Sequence, residues 1–351
     1  MRISFMAWLF DKVRVEGSIS IVKSLNNFFK DKYDCSLNDP KSLSNANVIN
    51  VHSNGFLDVT KYKKHYSKLV YSLHGVPKMN PFQRIDEHMI GFKLGTPKKN
   101  RAKVFFQSLV PYSIKVSSFF LPLFIKRIWL RKPRVVVVPS KFLFDMLNIP
   151  NARIIPYGVN VDKFRILPRT KSVKLKVAYF GHASVAKGTL EAVDILAKLD
   201  SDKFEKHVFV THKHKWLVDY ASKSDKSIVI HDFVSDLVSA LNDVDIIVLP
   251  FRSPTSAIAI PIILLESMAT QRAIVTSDMP HIREVCEDSV LYANRFDVDG
   301  FVEKINLLAS DNSKMISLGV KARARVVKYY NEVDFFKNYD DLFQEFSSSA
   351  N

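Results

Sequence analysis

Two charged side chains, Lys187 and Glu266, stand in surroundings that suit chemistry. In YFGHASVAKGTLEAVDILAKL, Tyr179 to Leu199, an apolar run ends at Gly181, and after a short loop Lys187-Gly188 leads into a helical pattern with Leu190, Val193, Leu196 and Ala197 on one side. A helix N-terminus offers unpaired N–H groups and a partial positive charge, and a neighbouring Lys adds a full charge without consuming those donors. A diphosphate fits such a place. The same residues also read as an ordinary strand-to-helix connection with a solvated Lys, and GxxxxGK[ST] is absent. In IIVLPFRSPTSAIAIPIILLESMATQRAIVTSDMPHIREV, Ile246 to Val285, a buried strand, a Ser/Thr/Pro loop and an apolar helix carrying Glu266 precede another strand. A carboxylate alone in the run Pro261 to Ala269 has to face a cleft or accept strong hydrogen bonds. A ribose diol, with two adjacent donors, is a fitting partner; an exposed helix face or a backbone cap is the plainer reading. His212 and His214 alternate as metal ligands can, but with no carboxylate or thiolate near them in sequence they read as a solvated loop.

The elements that must position these residues alternate short β-branched runs with longer helical stretches, the pattern of parallel sheets with crossover helices. In the first half the expected strands are Ile3 to Phe10, Val48 to His52, Leu69 to His74 and Val135 to Val138. In the second they are Lys176 to Phe180, His207 to Thr211, Ser227 to Ile230, Ile246 to Pro250 and Ala273 to Thr276. This is an α/β chain with two doubly wound, Rossmann-like sheets. Residues 1–164 form one expected domain and 165–328 the other, with a polar linker near Arg165 to Val173. Phe335, Phe336, Tyr339, Leu342, Phe343 and Phe346 recur at three- and four-residue spacings, so residues 329–351 should form a helix that docks back on the first domain.

Length and composition agree with two globular domains: 351 residues, 47% hydrophobic and 25% charged, with only 10 Gly and 15 Pro. Cys35 and Cys286, the only cysteines, cannot build a disulfide framework or a thiol zinc site, which favours a reducing compartment. The N-terminus reads as a first strand rather than a cleaved leader. No apolar run reaches the roughly 20 residues of a spanning helix. Of the net charge of +16, much sits between Lys98 and Arg134, where ten Lys and Arg occur without an Asp or Glu. With Phe105, Phe106, Tyr112, Phe119, Phe120 and Trp129 interleaved, that segment suits an anionic membrane surface, a solvated basic face, or, less well, nucleic acid.

At this level the chain resembles the retaining GT-B glycosyltransferases of family 4. The matching pieces run in order: Gly17-Ser18, LVYSLHG ending at His74-Gly75, VVVVPSKFLFDML with Ser140, IIPYGVNVDKF, FGHASVAKG, and ALNDVDIIVLPF with LLESMA and AIVTSD. The resemblance implies a central cleft between the two domains and transfer of a sugar from a nucleotide-diphosphate sugar to a hydroxyl acceptor, lipid-linked or saccharide, with retention. It implies that Lys187 contacts the diphosphate beside Gly181, His182 and Gly188, that Glu266, next to Leu265, holds the ribose, and that the backbone at Val234 meets the base. Gly17 would face the cleft, His74 would approach sugar or acceptor, and Ser256 and Ala257 would lie near the donor sugar. No metal and no other cofactor is implied. Three positions depart from the pattern: His182 stands where the family has Arg, Ile258 where it has the first Glu of a pair, and Gln271 where it has Gly. A nucleotide-sugar epimerase, an inverting transferase or an inactive membrane-associated scaffold are the alternatives. A cytoplasmic protein, peripheral on the cytoplasmic face of a membrane, is the expected setting.

Overall fold

A computed structural model describes residues 1–7, 17–53, 57–74, 123–168, 172–252 and 260–348. Two six-stranded parallel sheets follow one another, each strand pairing in parallel with its neighbours. The first has the order β2-β1-β3-β4-β5-β6, from β1 (Arg2–Ala7), β2 (Asp34–Leu37), β3 (Val48–Ser53), β4 (Leu69–Leu73), β5 (Val135–Val138) and β6 (Ala152–Ile154). The second runs β12-β11-β10-β7-β8-β9, from β7 (Leu175–Gly181), β8 (Phe204–Val210), β9 (Ile228–His231), β10 (Ile246–Leu249), β11 (Ala273–Ser277) and β12 (Leu291–Ala293). The expected α/β class and doubly wound sheets are what the chain forms.

β3, β4, β5, β10 and β11 are buried at every residue, as strands covered by helices on both faces must be. β8 alternates buried and half-buried residues and starts at Phe204, earlier than its apolar end suggested. β9 lies one residue later than expected, and Trp8 to Phe10 fall outside the described residues. The sequence reading missed β2, β6 and β12. They are edge or near-edge strands of three or four residues, too short and too exposed to leave an apolar run.

Among the described residues the helices are α1 (Gly17–Phe29), α2 (Leu123–Leu130), α3 (Lys141–Leu147), α4 (Thr189–Ala197), α5 (Lys215–Ser224), α6 (Leu237–Asn242), α7 (Ile262–Ala269), α8 (Pro280–Cys286), α9 (Val298–Ser310), α10 (Asn312–Tyr329) and α11 (Glu332–Ser348). None of them is long and apolar enough to cross a membrane. The six apolar residues of α11 named from their spacing are all buried. Phe343 packs edge-on to Phe5 and Phe29, at centroid distances of 6.0 and 5.4 Å, and Asp340 accepts from Lys32 Nζ and Tyr33 Oη. The last helix therefore lies on the first sheet, although the second sheet precedes it in the chain.

The return is made beside the outward connection. Val159 N–H donates to Tyr330 O at 2.8 Å, Glu332 N–H donates to Val159 O at 3.1 Å, and Asn160 Nδ2 donates to Glu332 Oε1. Gly158 lies so close to this second pass that a Cβ there would sit 2.4 Å from Glu332 Cα. Backbone cannot give way as a flexible side chain can, so Gly158→Ala should destabilise the protein by about 1–3 kcal/mol, the usual range for forced overpacking. Thermal unfolding checks this; an unchanged Tm would mean that the two passes separate freely.

Candidate functional site

The second sheet changes direction between β7 and β10, the neighbours from which strands were added to either side. Crevices at such switch points, outside the carboxyl ends of the strands, are where open α/β sheets bind ligands. β7 ends at Gly181, and residues 182–188 turn back into α4 through a short 3₁₀ turn, Val185–Lys187. Gly188 has φ +83° and packs against β10's exit, where a Cβ would lie 1.8 Å from Pro250 O. Only glycine satisfies both demands. Thr189 ties the loop: its Oγ1 lies 2.8 Å from His182 O and 2.9 Å from Ser184 O, and accepts from Ser184 N–H at 3.1 Å. No side chain caps α4, because the capping position is Gly188 itself. The half-buried Lys187 immediately precedes it.

His182 Nδ1 lies 2.7 Å from Thr211 Oγ1 on the loop after β8. The loop after β9 carries the half-buried Val234 and is held by Asp232, whose Oδ1 accepts from Lys213 N–H at 3.0 Å and Phe233 N–H at 2.8 Å. The ends of β7, β8 and β9 thus make one linked rim. Arg252, at the exit of β10, pairs with Glu191 in the first turn of α4 and lies 4.9 Å from the Phe296 ring centroid. The sequence reading did not single out this pair. Its only trace there is an Arg directly after a buried strand, and its partner is 61 residues away.

Glu266 sits in α7, with Leu265 beside it fully buried in the core. Part of the Glu266 side chain reaches solvent, yet the protein crowded around its carboxyl pushes its pKa up to about 7, with Lys163 pulling the other way. Ser256, Ala257 and Ile258 lie outside the described residues. Gln271, just past α7, holds the left-handed conformation at φ +61°. Lys187, Gly188, Gly181 and His182 therefore gather around one side of the switch point. Glu266 follows β10 on the other side.

In the first sheet, Gly17 opens α1 and His74 follows β4. His74 is 2% exposed, and both its ring nitrogens are engaged: Nε2 with His52 Nδ1 at 2.8 Å and Nδ1 with Tyr157 Oη at 2.5 Å. Burial pushes its pKa down to about 3 and takes that of His52 well below the ordinary value, so both rings are neutral at neutral pH. Neighbouring Ser72 Oγ is 2.9 Å from Tyr339 Oη of α11 and donates to Asn50 Oδ1 at 3.0 Å. His74 thus joins β4 to the connecting segment at Tyr157. His52 closes β3's apolar run in sequence, and its partner His74 is 22 residues away. Among the described residues no three His, Cys, Asp or Glu side chains gather as metal ligands do.

Residues 174–311 match the family model Glycosyl transferases group 1. No curated protein matches the chain in sequence. Among solved structures it is similar to sucrose-phosphate synthase (tll1590) from Thermosynechococcus elongatus, at 12% identity and TM-score 0.74, covering 99% of both chains. It is similar to Anabaena Alr3699/HepE in complex with UDP-glucose, at 12% identity and TM-score 0.68, covering 99% of this chain and 100% of that one. A glycosyltransferase from Rickettsia africae ESF-5 aligns at 13% identity and TM-score 0.64, over 98% of both chains. The chain therefore has the GT-B fold, and the part that matches the glycosyl transferases group 1 model, residues 174–311, spans its second sheet.

Proposed function

We propose that this protein transfers a glycosyl unit from a nucleotide-diphosphate sugar to a hydroxyl acceptor, with retention at the anomeric carbon. The observation that carries the reading is the switch point of the second sheet, where the start of α4, left without a side-chain cap, and Lys187 stand on one side and Glu266 follows on the other. HepE was crystallised with UDP-glucose on the same fold, which supports a nucleotide sugar as donor. In the reaction the bond from the anomeric carbon to the diphosphate oxygen breaks and a bond to the acceptor oxygen forms on the same face. The acceptor proton passes to the departing phosphate. Charge on that phosphate is stabilised by Lys187 and the helix N–H groups, in place of a metal.

Lys187→Ala should weaken UDP binding by roughly 1.5 to 3 kcal/mol, the range for a charge-assisted contact, with the fold unchanged by circular dichroism. Calorimetric titration with UDP measures it, and an unaltered affinity would remove Lys187 from the diphosphate site.

Ribose hydroxyls donate to the ionised form of Glu266, whose pKa in the free protein lies at about 7. Protonation opposes binding, so UDP affinity should rise as pH increases through that value and fall by up to about tenfold per unit below it. The nucleotide has its own titration, for which Glu266→Gln is the reference, since an amide does not titrate in this range. Identical pH profiles for the two proteins would leave Glu266 with a structural role only.

We place the acceptor on a lipid, at the cytoplasmic face of an anionic membrane. The support is the basic segment, whose residues 98–122 lie outside the described ones. In the described remainder Arg131 and Lys132 are exposed beside Ile128, 48% exposed on α2. Arg127 and Arg134 are otherwise engaged: Arg127 donates to Met146 O at 2.9 Å, and Arg134 lies 4.0 Å from the Phe346 ring centroid. Changing Arg131 and Lys132 to Gln should lower co-sedimentation with anionic vesicles, most clearly at low salt. Equal sedimentation of both proteins would make this a solvated face.

A further inference from the structure

α3 belongs to the first sheet's half of the chain, yet its first turn is completed from the second half. A helix begins with N–H groups that its own carbonyls cannot reach. In α3 the Leu143 N–H donates to Ser140 Oγ at 3.2 Å, an ordinary cap. The two before it go elsewhere: Lys141 N–H donates to Glu284 Oε1 at 2.6 Å and Phe142 N–H donates to Glu284 Oε2 at 2.8 Å. Glu284 lies on α8, and both of its carboxylate oxygens are used in this one contact. A charged acceptor at a helix N-terminus gains from both the hydrogen bonds and the helix dipole. Beside it the Phe142 ring lies 5.6 Å from that of His281, which is fully buried. α8 is itself anchored, since Arg325 donates to Glu284 O at 2.8 Å and to Val285 O at 2.5 Å and pairs with Glu287 at 2.6 Å.

We propose that Glu284 is a positioning residue that fastens the second domain to α3 of the first and thereby sets the width of the cleft. The crossing at Gly158 and Glu332, with Arg323 donating to Phe164 O at 3.0 Å, fixes where the halves join, and a contact away from that join bears on their angle. Glu284 supplies that contact from a rigid helix, and it touches none of the residues assigned to the donor. Its kinetic consequence rests on the cleft being the transfer site; its structural consequence does not.

The test compares wild type with Glu284→Gln, which keeps one acceptor oxygen, and Glu284→Ala, which keeps none. Spin labels on Lys63→Cys and Lys223→Cys, exposed positions on the two halves, report their separation in a Cys35→Ser background, Cys286 being buried. The distance distribution should broaden and lengthen in Ala and shift less in Gln, while UDP affinity stays within about twofold and kcat falls roughly tenfold or more through misplacement of reacting groups. Unchanged distances in both variants overturn the proposal, and so does loss of UDP binding without any change in distance, which would give Glu284 a role inside its own domain. If Ala fails to fold, Gln alone decides by the same distances. A wild type that turns over no donor overturns the proposed function and leaves the distance result standing.

Discussion

The two halves of this chain depend on one tight crossing, where residues 158–160 run alongside residues 330–332. Gly158 is there because backbone meets backbone at a distance no side chain tolerates. The crossing turns α11 back onto the first sheet, where its aromatic stripe completes a core that neither α1 nor β1 closes alone. Without that return Phe5, Phe29 and the ring of Tyr339 would lose their cover, and Asp340 would leave Lys32 and Tyr33. The same segment carries Tyr157 to His74, so the polar network under the first sheet and the join between the halves are one construction.

The central strands were legible in the sequence because parallel strands buried on both faces must be apolar throughout. β2, β6 and β12 were not, because an edge strand of three or four residues needs little apolar surface. The same division holds in the site. Gly181, Lys187 and Gly188 could be read locally, since a strand end, a turn and a helix start follow within a few residues. Glu266 could be read because a carboxylate in an apolar helix demands an explanation. Arg252 with Glu191, His52 with His74 and Glu284 with α3 could not. Each is an ordinary residue locally and acquires meaning only from a partner that the sheet topology delivers.

Gln271 and His182, two of the positions that depart from the pattern the sequence resembles, are held by local geometry, and Ile258 lies outside the described residues. Gln271 keeps the left-handed conformation that suits glycine, at a strain of roughly 1–2 kcal/mol, because the turn after α7 is fixed on both sides. Its N–H donates to Met268 O at 3.1 Å, and Gly319 of α10 leaves room for its carbonyl, which a Cβ would approach to 2.3 Å. His182, in place of Arg, is held by Thr211 and serves the rim that joins the ends of β7 and β8.

Among the described residues, the groups named at the two sheets differ in charge. At the second sheet the named groups are ionic or near ionisation: Lys187, the Arg252 and Glu191 pair, and Glu266 with its pKa at about 7. At the first sheet His52 and His74 are buried and neutral, and their hydrogen bonds end on tyrosine and on each other. A highly charged ligand is stabilised where full charges and a helix N-terminus already stand, and such a place must stay partly wet to keep those charges ionised. A neutral hydroxyl makes no such demand. It is oriented by shape and by neutral donors and acceptors, which a dry, rigid frame holds more accurately than a solvated one. Under the proposed function the anionic leaving group belongs with these charged groups at the second sheet, and Glu284 and the crossing at Gly158 tie that half of the chain to the first.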